Sequence, residues 1–148
     1  MTFNRRQVMG FGAGAVAFAL TGAPALATPE DAMMAVKDFA GSSDLPSDGL
    51  TLTTPEIAEN GNTVPIEVSV DSPMTADNYV ESVAIYADGN PNPAVVTFHF
   101  TPASGAATAK TRIRLAKTQN VVAVAKMNDG SARMVQNEVK VTIGGCGG

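Results

Sequence analysis

Apolar positions along the chain change their period once. Met33, Val36, Phe39 and Ala40 recur at the spacing of one helical face. Thr28-Pro29-Glu30-Asp31 opens that run with an N-cap residue, a proline at the first helical position and acidic side chains in the first turn. Gly41-Ser42-Ser43 closes it, so a short amphipathic helix is expected there. Met33 and Met34 are adjacent and point about 100° apart at 3.6 residues per turn, which argues against a shared cofactor contact.

From Leu50 onward the period is two. Strands are expected over Leu50–Thr53, Val64–Val70, Val80–Tyr86, Val95–Phe100, Thr111–Leu115, Val121–Met127 and Val135–Ile143. Ile66, Val68 and Val70 alternate with polar residues, as do Ile113 and Leu115, and Val139, Val141 and Ile143. Turn residues separate the runs: Asn60-Gly61-Asn62, Asp71-Ser72-Pro73, Asp88-Gly89-Asn90-Pro91, Ser104-Gly105 and Asn128-Asp129-Gly130. Asp129-Gly130 is the strongest hairpin signal. Short strands with frequent turns predict an all-β fold, an immunoglobulin-like antiparallel β-sandwich with a short N-terminal helix. The Cys-Trp-Cys core of antibody domains is missing, because the chain has no Trp and one Cys.

The first 27 residues read as a signal peptide rather than as part of the fold. Arg5 and Arg6 precede an apolar, Gly- and Ala-rich run from Val8 to Leu20, and Ala25-Leu26-Ala27 offers a cleavage site before Thr28. The run is broken by Gly10, Gly12 and Gly14, and its continuous apolar part falls short of the roughly 20 residues of a membrane span. No stable membrane anchor is expected. Asn4-Arg5-Arg6-Gln7-Val8-Met9 is similar to a twin-arginine export signal, although Asn4 and Val8-Met9 depart from its commonest residues; general secretion is the other route. Residues 28–143 then form one domain, and the processed chain is expected in the periplasm.

Processing leaves eight Lys and Arg against fourteen Asp and Glu, a formal charge of −6. So acidic a chain is a poor nucleic-acid binder. Lys110, Arg112, Arg114 and Lys117 are the nearest thing to a basic cluster, and the even spacing of the first three reads as a solvated strand face. The one histidine, His99, falls opposite Phe98 and Phe100 in its strand, a polar-face position. One His and one Cys do not make a metal site without carboxylates, and no nucleophile elbow or phosphate loop is present. Neither a metal nor a cofactor is expected, and the chain is poorly equipped as an enzyme acting alone.

Gly144-Gly145-Cys146-Gly147-Gly148 carries the remaining chemistry. An odd cysteine in an exported protein implies intermolecular pairing or a reactive thiol. Four glycines around it describe a thin, flexible arm that can enter a narrow tunnel in another protein. At about 3.3–3.6 Å per residue, Cys146 could stand roughly 10 Å beyond Ile143. Lowering a cysteine pKa from about 8.5 needs a nearby cation, metal or helix N-terminus. The arm supplies none, so partner proteins are expected to activate Cys146.

The ending Val139-Lys140-Val141-Thr142-Ile143-Gly144-Gly145-Cys146-Gly147-Gly148 resembles that of the SoxY family, the sulfur carriers of thiosulfate oxidation. Thr111-Arg112-Ile113-Arg114-Leu115-Ala116, Thr118-Gln119-Asn120-Val121-Val122-Ala123 and the twin-arginine start extend the resemblance over essentially the whole chain. It implies an immunoglobulin-type sandwich that pairs with a SoxZ-like subunit as a heterodimer. It also implies that Cys146 is the covalent attachment point for thiosulfate-derived sulfur, with Gly144, Gly145, Gly147 and Gly148 as the carrier arm. SoxAX-, SoxB- and SoxCD-like enzymes would load and process that sulfur, so that the haem and metals belong to the partners. The alternative is a structural sandwich that dimerises through a Cys146 disulfide. A ubiquitin-like carrier loaded at Gly148 fits least, since the pattern holds no long central helix and export removes the chain from ATP.

Overall fold

The computed structural model describes residues 27–145. Helix α1 (Pro29–Ala40) begins at Thr28, whose hydroxyl accepts from the Asp31 N–H while the Asp31 carboxylate accepts from the Thr28 N–H. This reciprocal capping box satisfies two backbone donors at the helix start. Gly41 ends the helix in the left-handed conformation, φ 82°, and its N–H donates to the Lys37 carbonyl.

Eight strands follow: β1 (Leu50–Thr53), β2 (Ile57–Asn60), β3 (Val64–Val70), β4 (Val80–Ala87), β5 (Ala94–His99), β6 (Ala107–Ile113), β7 (Gln119–Met127) and β8 (Ala132–Ile143). They form a three-stranded sheet in the order β1-β3-β6 and a five-stranded sheet in the order β2-β8-β7-β4-β5. Every pair is antiparallel except β2–β8, which runs parallel. That exception is the one departure from an antiparallel sandwich.

One core fills the space between the sheets, with Val64, Ile66, Val68 and Val70 from β3 facing Val83 and Ile85 from β4 and Val121, Ala123 and Ala125 from β7. Alternation is clear on β3 because its outer face meets solvent. On β4 and β7 it is masked, since the outward Ala84, Tyr86, Val122 and Val124 are also buried, under Val36 of α1 with Phe39, Ala40 and Leu45 around it. Ala32 and Val36 are the buried residues of α1, while Met34 points to solvent.

The Asp129-Gly130 signal closes the β7–β8 hairpin. Gly130 has φ 85° and Asp129 Oδ1 accepts from both the N–H and the hydroxyl of Ser131. β2 was not expected. It is four residues long with only Ala58 buried, so it carries no hydrophobic alternation and exists because β8 offers it a ladder. β6 and β8 also begin earlier than their apolar alternation does, at Ala107 and Ala132. The β1 edge is covered in part by a side chain, Asn137, which donates to the Leu52 carbonyl at 2.8 Å.

Candidate functional site: the root of the C-terminal arm

β8 delivers the chain to one end of the sandwich. Val139 and Val141 face the core, but Ile143, on the same side of the strand, is 66% exposed because the sheet packing stops there. Cys146, Gly147 and Gly148 lie outside the described residues, as do residues 1–26 of the segment expected to be a signal peptide. What can be built residue by residue is the platform from which Cys146 departs.

The platform is a circuit of backbone hydrogen bonds. Gly61, just past β2, donates its N–H to the Ile143 carbonyl at 2.7 Å, and its own carbonyl accepts from the Leu115 N–H at 2.8 Å. The Leu115 carbonyl then accepts from the Gly145 N–H at 2.9 Å. Gly145 is buried and Gly144 exposed. Gly145 therefore still lies against the sandwich, two residues past the end of β8.

Glycine is needed here for close approach and not for an unusual backbone angle, since none of Gly61, Gly144 and Gly145 has positive φ. A Cβ on Gly61 would fall onto the Leu115 carbonyl oxygen and lie 2.7 Å from the Gly145 nitrogen and 2.9 Å from Val141 Cγ1. One on Gly144 would fall onto the Ala116 carbonyl oxygen, and one on Gly145 would lie 2.7 Å from the Gly61 carbonyl oxygen. The first two arm glycines are thus fitted into a backbone-lined cradle. At Gly144 and Gly145 the lack of a side chain is what allows this close approach.

The far side of the cradle is held firmly. The Leu115 side chain is fully buried in the core. Asn90, 1% exposed, donates Nδ2–H to the Arg114 carbonyl at 2.9 Å, and its Oδ1 accepts from the Ala116 N–H at 3.0 Å and from Gln119 Nε2 at 2.9 Å. Gln119 in turn donates to the Lys117 carbonyl and accepts from the Gly89 N–H. The Asp88 carboxylate accepts from both the backbone and the side-chain nitrogens of Asn120 at 2.8 Å. Thr118 Oγ1 accepts from the Val141 N–H, tying this loop to β8. Asn90 entered the sequence reading only as a turn residue, and Gln119 only within a segment that carries the family resemblance. Their signal, a run of amides beside two turns, is not separable from ordinary turn chemistry.

The other candidates lie elsewhere. His99 is exposed on β5, opposite Ser82. Lys110 and Arg112 project from the outer face of β6, where Lys110 Nζ pairs with Glu67 at 3.1 Å, and Arg114 is exposed just beyond the strand. Among the described residues no group of three or more His, Cys, Asp or Glu could hold a metal ion. No described helix is long and apolar enough to cross a membrane. Ala27 donates its N–H to the Asn90 carbonyl, so the described chain starts against the same loop that braces the arm root.

The profile of the family described as "Sulfur oxidation protein SoxY" matches residues 36–146. Among solved structures, the sulfur carrier protein SoxY from Chlorobium limicola f thiosulfatophilum is similar over 74% of this chain and 94% of its own, with 34% identity and a TM-score of 0.59. A superoxide reductase (neelaredoxin) from Ignicoccus hospitalis covers 78% of this chain and 94% of its own at 21% identity and a TM-score of 0.57; that likeness is one of fold. Comparison with curated proteins returned no match.

Proposed function

The chain belongs to the SoxY family of sulfur oxidation proteins, and from that premise we propose that it is a periplasmic carrier holding thiosulfate-derived sulfur on Cys146. The observation that carries this reading is the family match, which runs through Cys146 itself. Gly145, the residue before it in sequence, is hydrogen-bonded to the end of the sandwich. Residues 1–27 are the export signal, removed before the carrier works. The chain's part is to bind and present; the chemistry is done by others.

The covalent cycle follows from sulfur chemistry. Joining the Cys146 thiolate to the sulfane sulfur of thiosulfate forms an S–S bond and releases two electrons, which a SoxAX-like haem enzyme takes up. Water then cleaves the outer S–S bond in a SoxB-like hydrolase, releasing sulfate and a proton and leaving a persulfide on Cys146. A SoxCD-like enzyme takes electrons from the remaining sulfane sulfur while water supplies its oxygens, and a second hydrolysis of the S–S bond releases it as sulfate and restores the Cys146 thiol. Links of this kind form and break by thiol exchange, which suits a reusable carrier. A SoxZ-like subunit is the stable partner.

Cys146→Ser tests the assignment. The variant should fold and pair as the parent does, yet take up no sulfur when incubated with thiosulfate and the loading enzyme. Thiosulfate conjugated to that variant at any other residue would contradict it.

A further inference from the structure

We propose that Gly61 and Leu115 form a clasp that sets how far Cys146 stands from the sandwich, which makes Gly61 a positioning residue for the thiol. The proposal rests on the reading of Cys146 as the attachment point, but its test does not.

The two sides of the clasp are unequal. Leu115 is fixed by a fully buried side chain and by neighbours hydrogen-bonded to Asn90. Gly61 is held at both its N–H and its carbonyl. Gly145, by contrast, is tied to the other described residues by one bond, from its N–H to the Leu115 carbonyl, and with no side chain it adds no hydrophobic burial. A net backbone hydrogen bond favours the bound arrangement about fivefold. That is enough to hold the root of the arm most of the time, and little enough for a binding partner to release it.

Release changes reach. While Gly145 is clasped, the length of chain that can extend begins at Gly145. Freeing Gly144 and Gly145 adds two residues, or roughly 7 Å, to the length that can extend from Ile143. The carrier therefore has a short arm and a long arm. The short one starts from Gly145, and the long one, which starts from Ile143, suits delivery into a partner.

The geometry also explains why the lever is at position 61. A methyl group there collides with the Leu115 carbonyl and the Gly145 nitrogen together, so Gly61→Ala pushes the arm off without altering the arm. Gly145→Ala attacks the same contact from the other side, 2.7 Å from the Gly61 carbonyl oxygen. It lies beyond the last strand, so the fold survives even if Gly61→Ala weakens it.

The experiment is amide hydrogen exchange at Gly145 in the processed protein, paired with alkylation of Cys146 by a small maleimide and by one carrying a bulky polymer. Relative to its unstructured rate, the amide at position 145 should exchange about fivefold more slowly in the parent than in either variant, the factor expected for one net hydrogen bond. Both variants should react faster with the bulky reagent while their rates with the small one stay close to the parent's. Inserting two glycines after Gly145 should reproduce the faster bulky reaction with Gly145 still protected. An unprotected Gly145 amide in the parent overturns the clasp, and so does an unchanged ratio of the two alkylation rates in variants that have lost protection. A protected Gly145 in a protein that carries no sulfur in cells refutes the carrier and leaves the clasp standing.

Discussion

Replacing Asn90 by alanine removes the side chain that holds the Arg114–Lys117 loop, and with it the firm side of the arm's platform. Three hydrogen bonds disappear: to the Arg114 carbonyl, from the Ala116 N–H and from Gln119 Nε2. Gln119 Nε2 keeps the Lys117 carbonyl as an acceptor at 3.0 Å, whereas the Ala116 N–H loses its partner in a site where Asn90 is 1% exposed. At about 1 kcal/mol net per bond, the loss is roughly 3 kcal/mol. A domain stable by about 5–15 kcal/mol still folds after such a loss. With a urea slope of about 2 kcal/mol per molar, the unfolding midpoint falls by roughly 1.5 M. Asn90→Asp separates hydrogen bonding from size. It keeps both accepted bonds but turns an oxygen toward the Arg114 carbonyl. That carboxyl would have its folded pKa raised, so the variant's stability should fall as the pH rises through the folded value. Urea unfolding followed by circular dichroism measures both. A midpoint shift in Asn90→Ala below about 0.5 M, or less than about 1 kcal/mol at that slope, would refute the argument that this amide braces the loop.

Other outcomes follow from single features. Thr28→Ala should cost about 1 kcal/mol in thermal unfolding by removing the helix cap. Hydrogen bonds from the Thr28 backbone N–H, then from its hydroxyl, hold the Asp31 carboxyl below its ordinary 3.8. The part of the cap made to that carboxylate is therefore present above that pH and lost as the pH falls below it, and because Thr28→Ala removes the hydroxyl's share of it, the difference between parent and variant should narrow in acid without vanishing. Leu115→Ala should cost about 2–5 kcal/mol as a large-to-small change in the core, read from the same urea curves. Lys110→Ala should leave stability within about 0.5 kcal/mol, because its pair with Glu67 is at the surface, with the lysine side chain 72% exposed.

Much of this architecture was legible because local signals and packing agree. β1 and β3 occupy the expected residues, where alternation meets one buried face and one wet face. Thr28, Pro29 and Gly41 mark the ends of α1 as their chemistry requires. The Asp129-Gly130 hairpin is a local event and was readable as one. What escaped depends on residues far apart in sequence. β2 is held in place by β8, at the far end of the domain, and its one buried side chain, Ala58, leaves no periodic trace. The arm glycines were legible as glycines, but their fit against Gly61, Leu115 and Ala116 was not, because close approach of backbones leaves no pattern within any one segment. Asn90 is the same case: a turn residue by composition, and a brace only once β4 and β7 bring the turn beside the Arg114–Lys117 loop.

The central claim, that Cys146 carries sulfur, is tested most directly by the intact mass of the protein isolated from cells grown on thiosulfate, before and after a reductant. The account predicts added mass from sulfur-containing groups that maps to Cys146 and is removed by the reductant. A bare thiol, or a disulfide-linked homodimer with no sulfur adduct, would contradict it.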